Sequence, residues 1–117
     1  MASRIQNITI DQGADFNQLF VAYSTKSSTS PKNLTDYTFA SEMRKSYYHA
    51  NSALTFTAVV DTAASGTMTL SANNMQTSAV SPGRYVYDIE IISNAEVPIR
   101  TRIIEGIATV TPEATKE

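Results

Sequence analysis

From Pro82 to Pro112 the chain runs through two stretches in which apolar and polar residues alternate. In the first, Tyr85, Tyr87, Ile89 and Ile91 fall on one side. Val86, Asp88, Glu90 and Ile92 fall on the other, which is the two-residue period of a β-strand. Pro82-Gly83 opens this run as a turn pair, because proline pre-sets one backbone angle and Gly83 accepts positive φ. Asn94-Ala95-Glu96 interrupts the pattern, and a second run begins near Ile99. The two runs predict a terminal hairpin within residues 81–113. In its second arm Ile99 and Ile103 share one parity, while Ile104, Gly106, Ala108 and Val110 share the other. A glycine amid such a switch predicts a bulge or a close backbone approach at Gly106.

The rest of the chain reads in the same way. RIQNITI (4–10) predicts a first strand, and Asp11-Gln12-Gly13 a turn. DFNQLFVAY (15–23) predicts a second strand, apolar on both faces towards its end, as suits the centre of a sheet. STKSSTSPKNL (24–34) has small polar residues and no period, and reads as a loop. DYTFASEMRKSYY (36–48) carries two periods. Phe39, Met43 and Tyr47 recur at helical spacing, whereas Tyr37, Phe39, Ser41 and Met43 share a strand face with Thr38, Glu42 and Arg44 opposite. The β-like context and the preference of Tyr, Thr and Phe for strands favour strand. ALTFTAVVD (53–61) alternates, with Leu54, Phe56, Ala58 and Val60 on one side, and TMTLSA (67–72) turns Met68 and Leu70 inward. NNMQTSAV (73–80) lacks alternation and suits one helical turn. About seven antiparallel strands in one domain, residues 1–117, predict an all-β, two-sheet sandwich.

Composition narrows the chemistry. At 117 residues the chain fits one domain, and with 42% apolar and 17% charged residues it is too apolar for a disordered chain. A net charge of −2 sets up no strong field towards nucleic acid or an anionic membrane. The absence of cysteine excludes disulfides and thiolate metal sites. MASRIQNITID has no apolar segment of a secretory signal, so the protein is expected to be made and used in a cytoplasm, or assembled there into something larger.

No catalytic or metal motif stands out. His49 is the single histidine, and neither Ser46 nor Ser52 beside it lies in a nucleophile motif. A surface histidine at a strand end is the ordinary reading. The carboxylates are scattered without calcium-loop spacing, and the four glycines form no phosphate loop. No cofactor, catalytic residue or metal ligand is therefore assigned, and the chain reads as a non-enzyme. Asp88 and Glu90 share a face that Arg100 and Arg102 of the next strand can oppose, which helps to set register. Arg44, Lys45, Tyr47 and Tyr48 are the nearest match to a nucleic-acid surface, and read more simply as a strand end with half-buried tyrosines. Tyr85 or Tyr87, shortly after the Pro82-Gly83 turn, suits a corner tyrosine whose hydroxyl bonds upstream backbone; an ordinary core tyrosine is the alternative.

Four segments taken in order resemble a family of small tailed-bacteriophage structural proteins: DQGADF, NLTDYTFASEMRK, PGRYVYDIEI and IIEGIATVTPEAT. The chain is similar to the immunoglobulin-like N-terminal domain of baseplate upper proteins and to stand-alone virion proteins of tailed phages, including cyanophages. Asp36 stands where the family usually has glycine, Ala108 where valine is common, and the Ser/Thr-rich loop is unusual. The resemblance implies an immunoglobulin-like β-sandwich without an active site. It also implies a virion location and protein contacts with tail, baseplate or major capsid protein, with a homo-oligomer possible in the particle. Other roles left open are a capsid decoration protein and a receptor- or glycan-binding module using Tyr47, Tyr48 and the 24–34 loop. Exposed strand edges suit an assembly, where strand addition supplies backbone hydrogen bonds. Ile92, Ile99, Ile103 and Ile107 fall on or near the outward parity of the last hairpin and are the candidate contact residues, with Tyr47 and Tyr48. Tyr85, Tyr87, Gly83 and Gly106 are the candidate structural residues.

Overall fold

In a computed structural model of the chain, nine strands among the described residues form two sheets that face each other across an apolar core. The structure describes residues 4–23, 32–46, 52–94 and 96–112. The larger sheet contains β1 (Arg4–Ile5), β2 (Ile8–Asp11), β4 (Tyr37–Arg44), β5 (Leu54–Thr55), β8 (Gly83–Ser93) and β9 (Arg100–Thr111). Its order is β1-β9-β8-β4-β5, with β2 beside β1 along the same edge of β9. The smaller sheet contains β3 (Phe16–Val21), β6 (Thr57–Thr62) and β7 (Thr67–Ala72), in the order β3-β7-β6. Helix α1 (Asn74–Ser78) carries the chain from β7 to β8.

The alternation seen in the sequence is the burial pattern of the strands. Tyr85, Tyr87, Ile89 and Ile91 of β8 are buried, as are Met43 of β4 and Met68 and Leu70 of β7. Of residues 36–48, the described ones, 36–46, form a strand over Tyr37–Arg44, with Ser41 and Met43 inward and Thr38 outward. Ser41 is buried with its hydroxyl satisfied, because it donates to the Asp88 carbonyl at 2.6 Å. Phe16, Phe56, Phe20 and Tyr87 form a chain of aromatic contacts with centroids 5.7–6.5 Å apart, which links the two sheets.

Four expectations are corrected. First, the pairing is not wholly antiparallel: β1 and β2 both run parallel to β9. Second, the expected first strand is broken at Gln6-Asn7. Third, residues 53–61 are two strands: β5 pairs with β4 in one sheet and β6 with β7 in the other. Leu54 and Phe56 still point inward, so a change of sheet leaves the alternation intact. Fourth, β3 is an edge strand rather than a central one. Its apolar Leu19 is 56% exposed, because it lies on the outward parity, opposite Phe16 and Phe20.

The closing hairpin explains the parity switch. Ile89 pairs with Ile104, but the next residue, Glu90, pairs with Arg102, so Ile103 is an inserted residue opposite no partner. The insertion is a β-bulge three residues before the glycine expected to mark it. Gly106 marks the close approach instead. A Cβ there would fall on the Gln6 carbonyl, 2.8 Å from its carbon and 3.1 Å from the Asn7 side-chain oxygen. The Gln6-Asn7 break fills the space that a side chain at position 106 would need. Three bonds hold it: the Gln6 N–H donates to the Glu105 carbonyl at 2.9 Å, the Tyr87 hydroxyl donates to the Gln6 carbonyl, and the Ile107 N–H donates to the Asn7 side-chain oxygen at 3.0 Å.

Candidate interaction surface

The outward face of the larger sheet is built in rows. With Cα partners in register, Arg44, Val86 and Ile107 form one row, and Glu42, Asp88 and Glu105 the next. Ala40, Glu90 and Arg102 follow, then Thr38, Ile92 and Arg100. The bulge makes this order. Were Ile103 an ordinary member of the strand rather than an insertion, the period of β9 would put Arg100 and Arg102 on the inward parity of Ile104, because a one-residue slip moves side chains to the opposite face. With the insertion, Arg100 reaches Glu90 at 2.6 Å, and Arg102 reaches Asp88 at 3.4 Å and Glu105 at 3.3 Å. Arg44 pairs with Glu42 at 2.9 Å.

Glu42, Arg44, Asp88, Glu90, Arg100 and Arg102 line an open groove of about 300 Å³. Partial burial pushes the Asp88 carboxyl above its ordinary value, Glu90, Glu105 and Glu42 add to the rise, and Arg102 opposes it. The carboxylates do not converge, and no three His, Cys, Asp or Glu among the described residues could share a metal ion. The arrangement can hold register and offer charge to a neighbour.

The candidate contact residues do not make one patch. Ile99 is 66% exposed and Ile107 41% exposed, and Ile92 is half-buried. Ile103 is buried at 4%, which corrects its assignment to the surface: the bulge tucks it into the core beside Ile104. The rows of Ile92 and Ile107 are six residues apart on β8, about 20 Å at strand spacing, with the charged rows between. Tyr47 and Tyr48 lie outside the described residues.

The candidate structural residues are all engaged. The Tyr85 hydroxyl donates to the Ser81 carbonyl at 2.6 Å, the corner bond expected of a tyrosine placed just after the turn. Tyr87 fastens Gln6, as above. Gly83 has φ 145°, and Lys45 extends over the Tyr85 ring at 4.9 Å. Asp36, where the resembled family has glycine, takes φ 66°, a conformation that glycine and, less readily, Asp adopt.

Sequence reasoning missed two features. One is the polar anchor between the DQGADF turn and α1. Thr77 is fully buried; its hydroxyl donates to the Ala14 carbonyl at 2.9 Å and accepts from the Gly13 N–H at 3.1 Å. Asp15 accepts the Asn74 N–H at 2.7 Å, and Gln12 donates to the Val80 carbonyl at 2.9 Å. The Asn73–Gln76 capping box was a readable signal for that helix. The other is the apolar exposure on the smaller sheet at Leu19 (56%), in a stretch that reads as apolar on both faces; Val59 (55%) falls on the outward parity of 53–61 with Thr55 and Thr57.

No family model and no curated protein matches the chain. Among solved structures, the Listeria monocytogenes internalin-like protein lmo2027 aligns with 15% identity and a TM-score of 0.43 over 95% of this chain. The chain spans 28% of the length of that protein. No described helix is long and apolar enough to cross a membrane.

Proposed function

We propose that this protein is a non-enzymatic structural component of a tailed-phage virion, an immunoglobulin-like domain fixed to the tail or baseplate by protein contacts. The observation that carries the reading is where its four phage-like segments lie in the fold. DQGADF is bonded to α1, the Leu34-Thr35-Asp36 turn leads into β4, PGRYVYDIEI supplies the corner tyrosine and the core of β8, and Gly106 of IIEGIATVTPEAT seats the Gln6 backbone. Each motif is used in building the frame.

The strand order supports the immunoglobulin-like part of the proposal. One sheet of three strands in the order β3-β7-β6 faces a sheet whose first strand runs parallel to its last. The corner tyrosine sits at the start of the penultimate strand, as in that fold. Val97 and Ile99, exposed at the turn of the closing hairpin, supply apolar contacts for a neighbouring subunit.

The test is location. Antibody raised against this protein should label the tail or baseplate of phage particles purified from lysates of the cell that carries the gene. Label confined to the head would replace this reading by the decoration protein. Absence of the protein from purified particles would overturn both.

A further inference from the structure

We propose that β3 is a homotypic docking edge, along which a second copy of this chain adds its own β3 antiparallel about a two-fold axis. The inference rests on the assembly reading above and names a surface within it.

The hydrogen-bond phase of the strand identifies the edge. The Ala22 N–H donates to the Gly66 carbonyl at 2.8 Å, next to the Val21–Thr67 pair. That pair is therefore of the wide kind, in which the two residues do not bond each other. Gln18 and Phe20 then bond β7, while Asn17, Leu19 and Val21 turn their N–H and C=O groups away from it. Among the described residues, β7 is the only strand paired with β3, and none bonds the main chain of those three. Asn17 and Leu19 are exposed and Val21 half-buried.

The other three sheet edges carry devices that discourage pairing. The β1/β2 edge is broken at Gln6-Asn7 and ends on Asp11, and β5 is two residues long. The register of β6 shifts between Val60 and Thr62, and Asp61 lies at the shift. β3, with the sequence FNQLFV, has six paired residues and no charge, proline, glycine or bulge.

Charge and register commit the edge to its own copy. A two-fold axis through Leu19 makes Leu19 face Leu19 of the second copy in a bonded pair, and Asn17 face Val21. All the outward groups are then used, about six bonds in total. No like charges meet, since β3 carries none. The exposed Leu19 side chains lie together on the outer face, each covering the other. The area is below that of a standard stable interface, so the free dimer is weak and the contact gains strength where copies are already held close, as on a particle.

Sedimentation of the full chain from about 5 to about 500 µM reads the dimer. The wild type should pass from monomer to dimer, and Leu19→Lys should weaken the association by about tenfold or more, because two ammonium groups then meet on the axis. Leu19 is exposed, so an unchanged thermal midpoint will show that the variant folds. Val59→Lys, on the opposite edge of the same sheet, should leave the association unchanged. Amide exchange at Asn17, Leu19 and Val21 should slow as concentration rises. A wild type that stays monomeric across the range, or a dimer that Leu19→Lys leaves intact, overturns the proposal. Equal loss in both variants also overturns it, in favour of head-to-tail pairing of β3 with β6. If the dimer forms but the protein is absent from particles, the virion reading fails and this one stands. If monomeric Leu19→Lys still enters particles at wild-type levels, the virion reading stands and β3 is not its docking edge.

Discussion

The two sheets meet the same requirement, a buried inner face, with opposite surfaces. The strands of the larger sheet carry ten charged residues, from Arg4 through Glu105, whereas those of the smaller sheet carry only Asp61. On the larger sheet charge is arranged in paired rows, and the outer edge of β9 is covered by an interrupted strand. On the smaller sheet the outward positions of the central β7 are Thr and Ser, with Leu19 and Val59 left exposed on the two strands that flank it. The difference separates two uses of a strand. The hairpin closes the sandwich and fixes its register, while the smaller sheet ends in a neutral, unguarded strand. The apolar residues that look outward in the sequence of the hairpin are separated in space by the charges that hold it.

The comparison breaks most severely at the bulge. Deleting Ile103 removes the extra residue and lets β9 pair as a regular strand, with Arg102 and Arg100 still outward opposite Glu90 and Ile92, so what is lost is the buried Ile103 side chain. Loss of a buried isoleucine side chain costs about 2–5 kcal/mol, so the deletion should destabilise the protein by about that amount while the arginine pairs persist. Urea unfolding measures it, and a deletion variant of near-native stability would show that Ile103 contributes little to the core. Next is Gly106→Val. The added side chain meets main-chain atoms of Gln6 rather than a flexible neighbour, so β1 must lift from β9 and the Tyr87–Gln6 bond must break. Overpacking of this kind costs about 1–3 kcal/mol, with the bond lost in addition. A fully stable Gly106→Val protein would contradict the close approach.

On the side of the smaller sheet, Thr77→Val keeps the shape and removes the hydroxyl. The Ala14 carbonyl and the Gly13 N–H lose their partner in a site where Thr77 is fully buried, at a cost of about 1–3 kcal/mol. The loss should appear as faster amide exchange in the DQGADF turn and α1 before any in β8 and β9. Uniform loss across both sheets would mean that this anchor is not local to the smaller one.

Most of this architecture was legible where burial alone decides a position. Alternation in β4, β7 and β8 marks their inner faces because each lies in a sheet with one side on the core. It does not say which sheet a strand joins. Leu54 and Phe56 keep their parity while the chain changes sheets between them, and β3 looks central because Leu19 and Val21 are apolar, although an edge strand can carry them too. The bulge was legible as a parity switch and misplaced onto Gly106, since a glycine can be needed either for conformation or for space. Ile103 was assigned to the surface for the same reason: parity was counted through the insertion. The Glu90 and Asp88 pairings with arginine were readable from charge in neighbouring strands. The anchor at Thr77 was not, because it joins residues more than sixty positions apart through one hydroxyl, and no pattern in either segment declares it.

The smallest effect concerns Asp88 and tests whether the charged rows are held by attraction or merely tolerated. Its pKa in the folded chain is raised above the ordinary 3.8, by burial first and then by Glu90, against the pull of Arg102. The folded protein thus holds this proton to higher pH than the unfolded chain does. Stability from this site is greatest below 3.8 and falls as pH rises from there through the raised folded value, beyond which the deficit is constant. Asp88→Asn removes that deficit and keeps the volume, while Arg102 retains Glu105 as a partner. The variant should be the more stable protein at pH 7, by roughly half a kcal/mol or less after solvent screening, and the advantage should vanish below pH 3.8. Paired urea titrations from acid to neutral pH read the difference directly. A variant less stable than wild type at pH 7 would mean that the Arg102–Asp88 attraction outweighs the crowding of carboxylates. The outer face of the larger sheet would then be a stabilising ion network rather than a register device.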